Sequence, residues 1–232
     1  MTTSPNTTEV TSVIFDFSGT LFRLEHNDDW TDRIGFSAAD TDIVELMRWM
    51  TTPIDPPVPL DADLLHAWRH RDLDPALHRT VYTEILRQWR ITTGVDVHAM
   101  YDILVDPLQW TPYPDTATVL EKLSTAGIQI AVLSNIPFDI RPAFTSRGWD
   151  RWVNHFVLSY ETGAAKPDPA IFRTAIERMG TKAERTLMLG DSPASDGGAA
   201  QIGCPVALVD PTPTEVRRDG LLIALRAHHL PV

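Results

Sequence analysis

Cysteine is nearly absent from this chain. Cys204 is the sole one in 232 residues, so no intramolecular disulfide can form and a reducing, cytoplasmic setting is expected. Lysine is scarce too, occurring only as Lys122, Lys166 and Lys182, and Lys and Arg together number 20 against 31 Asp and Glu, a net charge of −11. A balance that acidic, with no basic run, argues against nucleic acid or an anionic membrane as partner, because neutralising phosphates takes clustered cations. No apolar run approaches the ~18 residues of a bilayer-spanning helix. The opening stretch MTTSPNTTEVTS lacks the basic start and apolar segment of a signal peptide. What is present is an ordinary globular composition, 43% hydrophobic and 22% charged, with a length that suits one large domain or two small ones. The expectation is a soluble intracellular protein.

After the polar leader, residues 13–17 form a short apolar run that stops at Ser18-Gly19-Thr20, the pattern of a buried strand ending in a turn. From Asp115 onward the pattern becomes regular. Asp115 is placed to cap a helix over 117–126, Gly127 ends it, and 128–133 reads as a strand. A helix over 139–147, a strand over 153–159, a helix over 168–179, a strand over 186–190, a helix over 194–202 and a strand over 206–210 follow. Short apolar strands alternating with helices predict a parallel sheet covered on both faces, a doubly wound α/β core. The first two strands, however, are separated by roughly a hundred residues where a strand–helix–strand unit needs only about 30. Helix-like stretches at 37–50, 61–71, 75–92 and 95–105, with a Pro-rich break at 53–59, predict a small helical domain inserted there. Its Trp30, Trp49, Trp68 and Trp89 are expected to fill its core or to face the main domain.

Ligands of an open parallel sheet bind at the carboxyl ends of its strands. Four polar groups fall there: Asp16 with Ser18-Gly19-Thr20, Ser134-Asn135, Lys166-Pro167-Asp168-Pro169, and Gly190-Asp191-Ser192 with Asp196. Singly, each has a bland reading as a turn residue, a helix cap or a solvated charge. Together, their types complement one another. A carboxylate such as Asp16 can accept a phosphoryl group. Lys166, the Ser134 hydroxyl and the amides of the Gly19 turn can neutralise the anion being transferred. Mg²⁺ is commonly held by one or two carboxylates plus water and phosphate oxygens, and Asp16 with Asp191 supplies them. Asp196 would be a further ligand or would orient Asp191 and a water.

At these residues the chain resembles the haloacid dehalogenase superfamily of aspartate-nucleophile hydrolases. The matches, in the family's order, are Asp16-Phe17-Ser18-Gly19-Thr20-Leu21, Ser134 of Val132-Leu133-Ser134-Asn135, Lys166 of Lys166-Pro167-Asp168, and Gly190-Asp191-Ser192-Pro193-Ala194-Ser195-Asp196. The resemblance implies a Rossmann-like core, formed by residues 1–23 and 108–232, with an all-helical cap domain inserted at 24–107. It also implies Mg²⁺-dependent catalysis through Asp16, with Thr20 supporting the nucleophile loop. Ser134, Asn135, Lys166 and Gly19 would hold the transferring group. Asp16, the Ser18 carbonyl, Asp191 and Asp196 would build the metal site.

One position departs from the pattern. Phosphatases of this family usually carry a second Asp two residues after the nucleophile, as acid for the leaving group and then base for water, and here that place is Ser18. Such proton transfer is worth about 10² to 10⁴ in rate. A phosphatase acting on a small phosphate ester or acyl phosphate, borrowing an acid from His26, Asp28, Asp29 or Arg33 or choosing substrates with good leaving groups, is the leading expectation. A 2-haloacid dehalogenase, which needs no acid and no metal, is the alternative, disfavoured by the intact Gly190-Asp191 and Asp196. A phosphonatase is opposed by the lack of any Lys in residues 24–110. A third possibility of another class is a metabolite-binding module that turns over weakly. Cys204 reads as a small buried residue.

Overall fold

The structure, a computed structural model, describes residues 9–26, 30, 33–34, 40–51, 55–89 and 96–232. In chain order it comprises β1 (Ser12–Phe15), β2 (Phe22–Leu24), α1 (Asp40–Thr51), α2 (Ala62–His70), α3 (Pro75–Gln88), α4 (Val97–Val105), β3 (Trp110–Pro112), α5 (Thr116–Thr125) and β4 (Gln129–Ser134). There follow α6 (Arg141–Thr145), β5 (His155–Leu158), α7 (Ser159–Thr162), α8 (Pro169–Met179), β6 (Thr186–Gly190), β7 (Val206–Leu208) and α9 (Gly220–Ala227). Five strands form an all-parallel sheet in the order β5-β4-β1-β6-β7. β1 is central because it is apolar on both sides: Val13 and Phe15 join one buried cluster and Ile14 the other, the alternation that a strand imposes. Helices α5 and α9 cover the first face through Val119, Leu123, Leu221 and Leu225, and α8 covers the second through Ile171, Phe172 and Ala175. Phe15 lies in register with Val132 of β4 and Leu189 of β6, so the three strands end at one edge.

The chain leaves the sheet for helices α1–α4 and returns along a ribbon that the sequence pattern did not reveal, in which β2 pairs antiparallel with β3, Leu24 opposite Trp110. Aspartates start the inserted helices. Asp61, Asp74 and Asp96 each accept hydrogen bonds from the first backbone amides of α2, α3 and α4, the usual way of satisfying those donors. The first cluster continues from the sheet through Phe17, Phe22 and Trp110 into the insertion, where Trp30 and Trp68 are buried in it. Trp49 stacks on Trp89 with ring centres 5.5 Å apart. Both expected placements of these indoles are therefore met by one continuous core.

Several boundaries differ from expectation. The helix expected over 37–50 is seen as α1, and those over 75–92 and 95–105 as α3 and α4, with residues 37–39 and 90–95 outside the described residues. The helix expected over 139–147 is confined to α6, and the one over 194–202 is a 3-10 helix, Asp196–Ile202. Asp115 precedes α5 without capping it; its Oδ2 instead accepts from the amides of Leu221 (2.8 Å) and Leu222 (3.2 Å) at the start of α9. Cys204 is buried. Among the described residues no helix is long and apolar enough to cross a membrane.

Candidate active site

The edge where β1, β4 and β6 end gathers the polar residues that the sequence singled out. Past β1 the backbone folds tightly: the amides of Leu21 and Phe22 both donate to the Phe17 carbonyl, and Gly19 N donates to Phe22 O at 2.7 Å. Gly19 adopts φ +72°, and a Cβ there would lie 2.3 Å from the Asp191 Oδ2. Only glycine gives both the left-handed backbone and the room for that carboxylate. This turn aims Asp16 inward, its amide donating to Leu189 O on β6 at 3.0 Å.

Lys166 joins the two sides of the site. Its Nζ donates to Asp16 Oδ1 and to Asp196 Oδ1, each at 2.6 Å, and all three side chains are almost wholly buried. The other Asp196 oxygen accepts from the amides of Asp191 (3.0 Å) and Ser192 (2.8 Å). Gly190 is required here too, since a Cβ would fall 2.1 Å from Asp196 Oδ2. Asn135 fixes the lysine's backbone: its Oδ1 accepts from Lys166 N at 2.7 Å and its Nδ2 donates to Lys166 O at 2.8 Å. Its amide is thus committed to the protein, which makes Asn135 a positioning residue. Ser134, buried at the end of β4, lines the site beside it.

Three carboxylates face one ammonium. Burial pushes the Asp16 pKa up to about 8, with Lys166 opposing and Asp196 and Asp191 adding to the rise. Burial and then Asp196 push Asp191 up to about 6. For Lys166, burial works against the charge, yet Asp16 and Asp196 outweigh it and hold the pKa above the usual lysine range. Oxygens of Asp16, Asp191 and Asp196 lie within 4.8 Å of one another. This buried surplus of negative charge on hard oxygen donors fits a divalent cation such as Mg²⁺. Both Asp196 oxygens are already hydrogen-bonded, so Asp16 and Asp191 are the carboxylates that would hold it, with Asp196 orienting them.

The loop after Asp16 has a further support that sequence reasoning missed. Arg217, 7% exposed, donates from Nη1 to Gly19 O (2.7 Å) and Asp210 O (3.1 Å) and from Nη2 to Thr20 O. Its guanidinium lies over the Tyr113 ring. The Thr20 hydroxyl, expected to brace the loop, is buried with no hydrogen-bond partner, and the bracing runs through its carbonyl instead. Arg217-Arg218 in a proline-containing stretch carries no sequence signal that separates it from solvated charge.

A cavity of about 660 Å³ opens over these groups, roofed by Met50, Tyr82 and Leu104 of the insertion and Phe138 of the core. Of the expected acids from the insertion, His26 and Arg33 do not line it, and Asp28 and Asp29 lie outside the described residues. Arg71, Asp72 and His78 line it instead. In the sequence, Arg71-Asp72-Leu73-Asp74 reads only as a charged turn.

A family model described as haloacid dehalogenase-like hydrolase matches residues 10–203. The chain belongs to that family. Among curated relatives it is similar to a glyceraldehyde 3-phosphate phosphatase of Methanothermobacter thermautotrophicus, 34% identical over 117 residues, 47% of this chain and 49% of that protein. It is also similar to (S)-2-haloacid dehalogenase 4A of Burkholderia cepacia, 27% identical over 149 residues, 59% of this chain and 64% of that one. The chain thus spans about half of the first relative and less than two-thirds of the second. The L-2-haloacid dehalogenase structure from Xanthobacter autotrophicus shares the fold with TM-score 0.65 at 22% identity, covering 92% of this chain and 83% of that one. A phosphatase of this family from Thermococcus onnurineus aligns at TM-score 0.51 and 21% identity, over 87% and 86% of the two chains. The haloacid dehalogenase-like hydrolases thus include both chemistries that the site residues allow.

Proposed function

We propose that this hydrolase is a Mg²⁺-dependent phosphatase acting on a small phosphorylated metabolite, with residues 24–107 as the cap over its site. The observation that carries the reading is Asp191. Its carboxylate lies beside Asp16 in a site already crowded with negative charge, an arrangement of use to a bound cation and of none to a metal-free displacement of halide. When bound, Mg²⁺ would offset the charge of the phosphoryl oxygens. Asp16 then attacks phosphorus, the leaving oxygen departs, and Asp16 carries an aspartyl phosphate that water hydrolyses. Lys166 neutralises the transferring group and keeps Asp16 aimed, and Ser134 hydrogen-bonds a phosphoryl oxygen. The phosphatase relatives, at about one-third identity, support a small phosphorylated substrate.

Ser18 favours a second reading, dehalogenase-like hydrolysis, because halide leaves without a proton. The discriminating experiment compares phosphate release from phenyl phosphate and acetyl phosphate with halide release from a 2-haloacid, for wild type and Asp16→Asn, with Mg²⁺ and with chelator. Phosphate release that needs both Asp16 and Mg²⁺ is expected. Halide release that survives the chelator overturns the reading, and silence in every assay leaves a binding module.

A further inference from the structure

We propose that Asp72, on the turn between α2 and α3, is the general acid and base that this site lacks at Ser18. The proposal rests on the phosphatase reading and deepens it. Four carboxyl groups line the cavity among the described residues: Asp16, Asp191, Asp196 and Asp72. The first is the nucleophile, the second a carboxylate for the cation, and the third is fully engaged by Lys166 and two amides. Asp72 alone is uncommitted to that assembly; its side chain is 25% exposed and lines the cavity. Among the other lining side chains of the insertion, burial pushes the Tyr82 phenol above its usual range, and His78 is held in a stack on Tyr82 with centroids 4.0 Å apart and bonded through Nδ1 to the Tyr101 hydroxyl at 2.9 Å.

The turn is fixed against the core. The buried Ser159 hydroxyl, at the end of β5, accepts from Ile136 N at 2.8 Å and donates to the Asp72 carbonyl. The residue's backbone is thereby tied to the same sheet edge that carries Asp16. The charged and titratable groups around the Asp72 carboxyl are Arg71, with Nε 3.9 Å away, Lys166 of the core, and Tyr82 of α3. Burial raises its pKa, Arg71 and Lys166 oppose the rise, and burial prevails, so the proton is held to higher pH than on a surface aspartate.

The proton ledger closes. As Asp16 bonds to phosphorus and the P–O bond to the leaving group breaks, the Asp72 carboxylic acid gives its proton to the departing oxygen. The resulting carboxylate then takes a proton from the water that attacks the aspartyl phosphate, freeing phosphate and Asp16 and restoring the acid. The first half-reaction sets kcat/KM, and its need for an acid depends on the leaving group.

The test is kcat/KM of wild type, Asp72→Asn and Asp72→Glu on phenyl phosphate, whose leaving group needs a proton, and on acetyl phosphate, whose leaving group does not. Asp72→Asn is expected to lower the phenyl phosphate value by about 10²-fold or more, and by at least about tenfold more than the acetyl phosphate value. Asp72→Glu should recover part of the difference. Equal losses on both substrates, or no loss on either, overturn the role of Asp72 while the phosphatase reading stands. A wild-type chain that releases no phosphate from either compound overturns both.

Discussion

Asn135 grips Lys166 by both faces of its backbone, accepting from its amide and donating to its carbonyl. The lysine that bridges Asp16 and Asp196 is thus aimed by a residue that need not touch substrate. Asn135→Ala is expected to lower kcat/KM for a phosphate ester about 10- to 100-fold, the usual cost of losing a positioning partner, with less effect on global stability than on rate. Steady-state kinetics beside urea unfolding checks this.

Gly19 and Gly127 share a left-handed φ, +72° and +75°, but only Gly19 has a neighbour, Asp191, where a Cβ would stand. Alanine at either position is expected to cost about 1–2 kcal/mol of stability from the backbone alone. Gly19→Ala should in addition displace the Asp191 carboxylate and shrink the rise in Tm expected of Mg²⁺ at the proposed site. Gly127→Ala should keep that rise. Calorimetry with and without Mg²⁺ separates the two.

His78 is buried, and desolvation, aided by Arg71, lowers its pKa from 6.5 to about 3. Below pH 6.5 the unfolded chain takes a proton that the folded one refuses, so this contribution to stability is complete above that pH and is lost as pH falls toward 3. The slope is about 1.4 kcal/mol per pH unit. His78→Gln should therefore lose about 2 kcal/mol less than wild type between about pH 7 and about pH 5 in urea unfolding. Parallel curves for the two proteins would refute the assignment.

Asp115 spends one carboxylate oxygen on the amides of Leu221 and Leu222. Asp115→Ala is expected to cost about 1–2 kcal/mol, the worth of a helix cap, and to expose the α9 amides to hydrogen exchange before those of α5. Protection of α9 unchanged in the variant would show that packing of Leu221 and Leu225 suffices.

The sheet was legible because buried parallel strands read as unbroken apolar runs, and β1, β4 and β6 lead to polar residues that mark the site: Asp16 just after β1, Ser134 at the end of β4 and Asp191 just after β6. The β2–β3 ribbon was hidden by its size, two three-residue strands far apart in sequence, too short for any periodicity. The 3-10 form of Asp196–Ile202 follows from side chains that no helical pattern records. Asp196 is drawn into the site by Lys166, and a Cβ on Gly198 would meet the Pro167 carbonyl at 2.7 Å. Glycines at 197 and 198 weaken the α-helix further. Arg217 and Asp72 were illegible for one reason: each meets the site across a distance in sequence that only folding closes.

That distance has a consequence for how the hydrolase comes into being. The carbonyls of Gly19 and Thr20 are held by an arginine 198 and 197 residues later in the chain. During synthesis from the amino end, Asp16 is made before its sheet neighbour β6, which begins at Thr186. The loop that aims Asp16 is still without its clamp until residue 217 has cleared the ribosome. Nascent chains arrested between residues 196 and 217 would carry every residue of the four motifs with the loop after Asp16 still unclamped.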